Sequence, residues 1–316
     1  MKRSSPRVDR PLTGISFKIV SVAVFVTMSS LIKAAGDVPA GQIVFYRSFF
    51  AMLLILAFLG CRRELRTAFH TARPLNHVAR GTVGVISMAL TFFALTRLPL
   101  PEAITLNYAQ PLLVVVFSSI FLGETIRIYR WSAVVIGLVG VLIISWPKLT
   151  LFESGAAMGN EEALGVAAAI LGAAFSAIAM ILVRSLVHTE RTSTVVMWFS
   201  LTATLLSLIS YPFGWVPLSA MQIALLVMAG ICGGLGQLLM TEAYRYAEAS
   251  TVAPFEYSSM ILSIAVGYYF FGDLPTIHML VGGIIVVGAG IFIIWREQRL
   301  GLKHAAAVRQ TAPSQS

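Results

Sequence analysis

Ten apolar stretches run along this chain, each about long enough to cross a bilayer, and they read as one five-stretch unit written twice. A span needs about 20 mainly apolar residues to cross roughly 30 Å of hydrocarbon. The stretches fall at 13–35, 42–60, 78–97, 102–122, 130–147, 163–183, 192–212, 220–244, 249–271 and 277–295, taken here as spans 1 to 10. They are too long and too continuous for barrel strands, which alternate apolar and polar residues over about ten positions. The predicted fold is therefore an all-α membrane protein of ten transmembrane helices. Five crossings is an odd number, so a second copy placed after the first must sit upside down in the membrane. The expected architecture is two inverted five-helix repeats.

Charge supports that class and argues against another. Only 12% of the residues are charged and 57% are hydrophobic, whereas a soluble domain carries roughly 25% charge. The net charge of +9 could indicate nucleic acid, but its placement speaks for topology. With the N-terminus in the cytoplasm, eighteen of the 23 Lys and Arg residues fall on the cytoplasmic side. The other side holds Lys33, Arg97 and Lys148, while Lys18 and Arg47 lie inside spans. This positive-inside bias predicts that both termini are cytoplasmic and that the basic surface meets anionic lipid, not nucleic acid. The first apolar stretch is a full span without a small-residue cleavage site and is expected to remain in the mature protein.

The repeat can be tested by sliding the chain over itself. At an offset of 149, Gly81, Gly84, Leu90, Ala94, Tyr108, Leu113, Phe121 and Gly123 match Gly230, Gly233, Leu239, Ala243, Tyr257, Leu262, Phe270 and Gly272, and Glu124 falls on Asp273. One span later, Gly140-Val-Leu-Ile-Ile is similar to Gly290-Ile-Phe-Ile-Ile. An ancient duplication is the reading, with shared helix composition as the alternative. The domains are then a tail at 1–12, a first repeat at 13–147, a linker at 148–161, a second repeat at 162–296 and a tail at 297–316.

Two five-span halves, a basic tail, and spans 4 and 9 ending in Leu122-Gly123-Glu124 and Phe271-Gly272-Asp273 resemble the EamA family of the drug/metabolite transporter superfamily. The resemblance implies a bacterial inner-membrane carrier whose central cavity is lined by spans from both halves. The segments Val38 to Ser48 and Ala253 to Ser259 are similar to a proteobacterial branch that includes riboflavin importers. What this implies is a secondary transporter working by alternating access, with riboflavin uptake as the leading substrate and export of amino acids or other small metabolites as the alternative. The residues leave open whether two copies pair as a homodimer.

Candidate pathway residues follow from the cost of polarity in hydrocarbon. An ionisable group at the bilayer centre costs about 2.5 to 3.5 kcal/mol on insertion scales, so one that is retained faces a cavity or a partner. Arg47 of span 2 either contacts an anion or aromatic ring in a cavity or snorkels to the outer headgroups. Glu256 of span 9 either serves a cavity, binding solute or carrying a proton, or belongs to a buried structural pair. Asn107, Tyr108 and Gln110 of span 4 correspond to Glu256, Tyr257 and Ser259 of span 9 at the repeat offset, and equivalent positions of inverted halves approach each other near the midplane. Tyr46 and Gln237 complete the set. The plainer reading is that such amides and hydroxyls tie helices together. Pro111 and Pro254 can free backbone carbonyls in the cavity, or Pro254 can be a first-turn proline.

Other residues are read more simply. Lys18, one turn into span 1, is taken as a cytoplasmic anchor, and Glu242 with Arg245 as a local interfacial pair. Cys61 and Cys232 give no disulfide or metal spacing and are read as packing residues. The five histidines fall in loops, tails or span ends. The glycines of spans 3 and 8 fit close helix contacts, since a phosphate loop needs a Gly-Lys-Ser or Gly-Lys-Thr ending that is absent. No cofactor is called for. An enzyme is expected to cluster His, Asp or metal-ligand groups beside the spans, and a sensor to carry a soluble output domain; the sequence points to neither.

Overall fold

The computed structural model describes residues 11–63, 65, 69–71, 73–122, 128–149, 157–187, 190, 192–246 and 253–311. Hydrocarbon offers the backbone no partner, so its polar groups must bond within the segment, and helices with no strands make up the described residues. In chain order these are α1 (Pro11–Ala34), α2 (Ala40–Cys61), α3 (Pro74–Arg97), α4 (Leu100–Asn107), α5 (Ala109–Leu122), α6 (Ile128–Leu149), α7 (Ala157–Val187), α8 (Thr192–Leu208), α9 (Ala220–Tyr246), α10 (Ser258–Val266) and α11 (Ile277–Thr311).

Six segments are long and apolar enough to cross a membrane: Leu12–Ala34, Ala40–Cys61, Pro74–Arg97, Leu100–Phe121, Glu161–Val183 and Ala220–Met240. Trp131–Pro147, Ser193–Leu208 and Ile277–Ile293 are shorter apolar helices. The stretch expected as span 9 differs from a plain helix. It is a 3-10 helix at Ala253–Tyr257, then α10, then a π-helix at Gly267–Phe271. Two boundaries also move: α7 begins inside the expected linker, and α11 continues into the expected C-terminal tail. The tail residues 1–10 and 312–316, linker residues 150–156, and the Gly123-Glu124 ending lie outside the described residues.

The helices pack in pairs. α1 lies on α9, α3 on α7 and α6 on α11, while α2 touches both α8 and α9, and α3 also touches α8. Small residues set the spacing. A Cβ on Gly230 would stand 2.6 Å from Phe50 Cβ, and one on Gly81 would stand 2.6 Å from Thr202 Cγ2. The α1–α9 and α3–α7 pairs use one device: Ser21 Oγ donates to the Gly236 carbonyl and Ser87 Oγ to the Gly172 carbonyl, each at 2.8 Å. A buried hydroxyl needs such an acceptor, and a glycine lets the partner backbone come close enough to supply it.

The core runs through Ile32, Ile43, Leu100, Leu106, Leu112 and Val286. Ile120, Leu142, Ile209, Ile261, Phe270 and Ile284 stay exposed, as expected for a helix face turned to lipid.

Candidate functional site

The site begins where two spans lose helical continuity. Pro111 has no N–H to give the Asn107 carbonyl and its ring crowds that oxygen, and the helix breaks at Tyr108 between α4 and α5. The Tyr108 N–H turns to the Thr105 carbonyl at 3.1 Å instead. Across from it, Pro254 stands in the first turn of the 3-10 helix that opens span 9. The two breaks meet. The hydroxyls of Tyr108 and Ser259 share a short hydrogen bond, the rings of Tyr108 and Tyr257 stand edge to face at 5.1 Å, and Ser259 Oγ also donates to the Glu256 carbonyl at 2.7 Å.

Glu256 does not reach Asn107. Its carboxylate accepts from Lys18 Nζ of α1. This corrects the reading of Lys18 as a cytoplasmic anchor: its side chain is 1% exposed, against 47% for Glu256. Lys18 is the eighth residue of α1, about 10 Å along the axis at 1.5 Å per residue. That depth already exceeds what one turn suggests and was the signal available in the sequence. The half-exposed carboxylate on a buried amine leaves acceptor oxygen open to a solute.

Arg47 is buried, not snorkelling. It is 8% exposed, and its Nε has no hydrogen-bond partner. A Cβ built on Gly233 of α9 would stand 3.0 Å from that Nε and 3.0 Å from Met28 Sδ of α1, so the glycine makes room for the guanidinium. Arg80, one of the eighteen cations placed on the cytoplasmic side, is also covered by its neighbours. It is the seventh residue of α3, its guanidinium lies over the Phe199 ring at 3.8 Å, and its Nε and Nη1 are covered and unpartnered. Arg47 and Arg80 stand on α2 and α3, two helices packed against one another.

The remaining expected residues lie on α2, on α9 and at the α4–α5 break. Tyr46 stacks with Phe50 at 6.1 Å on α2, and Gln237 is partly buried one turn beyond Gly233. Asn107 and Gln110 are partly buried at the α4–α5 break. A crevice of about 390 Å³ between Ala89, Phe93, Ala168 and Leu171 is lined by apolar side chains and offers nothing to orient a polar solute.

The EamA-like transporter family profile matches residues 12–146 and again 163–296, most of the chain. The chain belongs to the EamA-like transporter family. Its relatives include the pseudopaline exporter CntI of Pseudomonas aeruginosa, 28% identical over 90% of this chain and 96% of that protein. A riboflavin transporter of Rhizobium johnstonii is 28% identical over 93% and 92%, and an S-adenosylmethionine uptake transporter of Rickettsia felis is 25% identical over 93% and 96%. A crystal structure at 19% identity shares the fold, with a TM-score of 0.62 over 88% of this chain and 96% of the other.

As an EamA-like transporter, the protein is not an enzyme. No group of three His, Cys, Asp or Glu fit to hold a metal occurs among the described residues. Cys61 is exposed and Cys232 partly buried, both free, so only the second can act as a packing residue. His77 stands at a span end, in the first turn of α3, where it is 1% exposed and stacks on Trp198 at 5.6 Å. The Arg245 side chain of the expected Glu242 pair lies outside the described residues.

Asp273, the acid that closes span 9, has a structural role. Its Oδ2 accepts from the Leu100 N–H at 3.0 Å and lies 3.3 Å from Lys33 Nζ. A carboxylate at the first turn of α4 satisfies an otherwise orphaned donor and opposes the positive end of the helix dipole. Gly272 before it takes a φ of +68°, which glycine adopts without strain.

Proposed function

We propose that this protein is a secondary carrier of small organic metabolites in the bacterial inner membrane, built from ten spans in two inverted repeats, 13–147 and 162–296, with both termini cytoplasmic. Each half rocks against the other around a midplane site, so that the site opens to one side at a time. The observation that carries this reading is the meeting of Tyr108 with Tyr257 and Ser259, and of Lys18 with Glu256. Each contact joins the first family-matched segment to the second. Tyr108 and Tyr257 are also equivalent at the offset of 149.

The packing pattern adds support. Exchanging the halves turns the α1–α9 pair into α7–α3 and returns α6–α11 to itself, and all three pairs occur. The two serine–glycine contacts occupy corresponding positions under the same exchange with donor and acceptor reversed, since Ser87 and Gly236 are 149 residues apart and Ser21 and Gly172 are 151 apart.

The pathway is formed by Tyr46, Arg47, Asn107, Tyr108, Gln110, Gln237, Glu256, Tyr257 and Ser259, joined by Lys18 and Arg80. Riboflavin uptake is the first substrate to test, supported by the names of relatives from Rhizobium johnstonii and Vibrio cholerae and by aromatic rings that can stack on a flat heterocycle. Labelled riboflavin uptake is measured in a riboflavin-requiring strain carrying the parent, Arg47→Ala or Glu256→Gln. Uptake is expected to rise with the parent and to fall with each variant. No gain with the parent overturns riboflavin, and parental rates in both inserted variants remove Arg47 and Glu256 from the pathway.

A further inference from the structure

Among the described residues, the buried side-chain polar atoms that lack a hydrogen-bond partner are Arg47 Nε, Ser48 Oγ, both ring nitrogens of His77, Arg80 Nε and Nη1, and Ser118 Oγ. All but the last lie on α2 and α3, two helices packed against one another. A folded protein satisfies nearly all of its buried polar atoms, and a buried charge is normally paired. Here two guanidiniums with such atoms stand on a pair of packed helices, and the ion pairs seen among the described residues join other cations: Lys18 to Glu256, Lys33 to Asp273 and Arg97 to Glu161.

The surroundings hold these cations without neutralising them. Arg80 rests on the face of Phe199, which covers one side of the guanidinium and leaves N–H groups at its edge unused. Arg47 lies in the room left by Gly233, about 10 Å along α2 from Ala40 at 1.5 Å per residue, too deep for a headgroup to reach without crossing the helix ends. A guanidinium offers a planar fork of donors that matches a carboxylate with two parallel bonds. The missing partner of this site is therefore an anion that arrives with the solute.

We propose that Arg47 and Arg80 form an anion subsite that takes the carboxylate of the transported metabolite, which rests on the carrier reading above. The substrate class is a small organic acid or an amphoteric metabolite bearing a carboxylate, so this subsite and riboflavin, which carries no carboxylate, are alternatives that the uptake measurement above separates.

The test uses purified full-length protein and the thermal stability gained with benzoate, with benzamide as its neutral isostere and inorganic phosphate as a second anion, all at equal ionic strength. Benzoate is expected to stabilise the parent and benzamide not to do so. Arg47→Gln and Arg80→Gln are each expected to weaken benzoate binding roughly tenfold to a hundredfold, the scale of a charge-assisted bond. Arg47→Lys and Arg80→Lys keep the charge without the fork, and retain a weakened preference for benzoate even where a glutamine variant fails to fold. Equal response to benzoate and benzamide, an unchanged benzoate affinity in the folded glutamine variants, or a response to phosphate alone overturns the proposal. Because the readout is equilibrium binding, its failure leaves the carrier reading standing, and failure of carrier function is read separately from uptake.

Discussion

Lys18 and Glu256, 238 residues apart in sequence, form an ion pair that joins the first third of α1 to the 3-10 turn opening span 9. The amine is buried and the carboxylate half exposed, so removing the acid takes the opposite charge from a cation in low dielectric while removing the amine leaves an acid that water can still reach. Breaking a buried pair from one side costs about 3 to 5 kcal/mol, and exposure of one partner brings this to about 1 to 3 kcal/mol here. Glu256→Gln is expected to destabilise more than Lys18→Met, and the double variant to recover part of the loss. Thermal unfolding of all four proteins in detergent checks this; strictly additive losses would remove the pair's role.

Gly233→Ala brings a Cβ to 3.0 Å from both Arg47 Nε and Met28 Sδ. Each is the end of a flexible side chain and can give way, so the expected stability change is small, about 1 kcal/mol. The guanidinium moves, however, and solute binding is expected to fall more than stability does. Comparing binding with unfolding temperature in the same preparation checks the split.

The α6–α11 contact behaves differently because its obstacle is backbone. A Cβ on Gly140 would stand 2.8 Å from the Gly282 carbonyl oxygen, and one on Gly282 would stand 2.5 Å from the Gly140 oxygen. Neither oxygen can swing away, so the helices must separate. Gly140→Ala and Gly282→Ala are each expected to cost about 1 to 3 kcal/mol, while Gly288→Ala, with nothing within 4 Å, is expected to be neutral or to gain up to about 1 kcal/mol from helix propensity. Unfolding temperatures of the three variants test the ranking.

Asp273→Ala removes the cap on Leu100 and the carboxylate beside Lys33, which keeps its bond to the Leu98 carbonyl. Loss of such a cap costs about 1 kcal/mol, with a few tenths more from the helix dipole. Asp273→Asn keeps an acceptor for the N–H and is expected to retain most of the cap while losing the charge. A variant pair of equal stability, measured by thermal unfolding, contradicts this division.

Tyr108→Phe keeps the ring against Tyr257 and deletes the bond to Ser259. Interhelical bonds in membranes average about 0.6 kcal/mol, so folding is expected to be nearly unchanged. Transport is expected to slow if the two breaks move together, because this bond ties them. Uptake at matched expression checks it.

Membrane class and most helices were legible in the residues because burial in lipid depends on the summed polarity of about 20 consecutive positions, a property that needs no partner. The break at Tyr108 was legible too, since a missing N–H at Pro111 acts within one turn. Tertiary structure alone decided which charges are buried and whom they face. Lys18 and Arg80 lie near helix ends in sequence, where a long side chain usually escapes to water, and only the rotation of α1 and α3 against their neighbours turns one onto Glu256 and the other onto Phe199. Helix rotation is set by packing across the bundle, and no local run of residues encodes it.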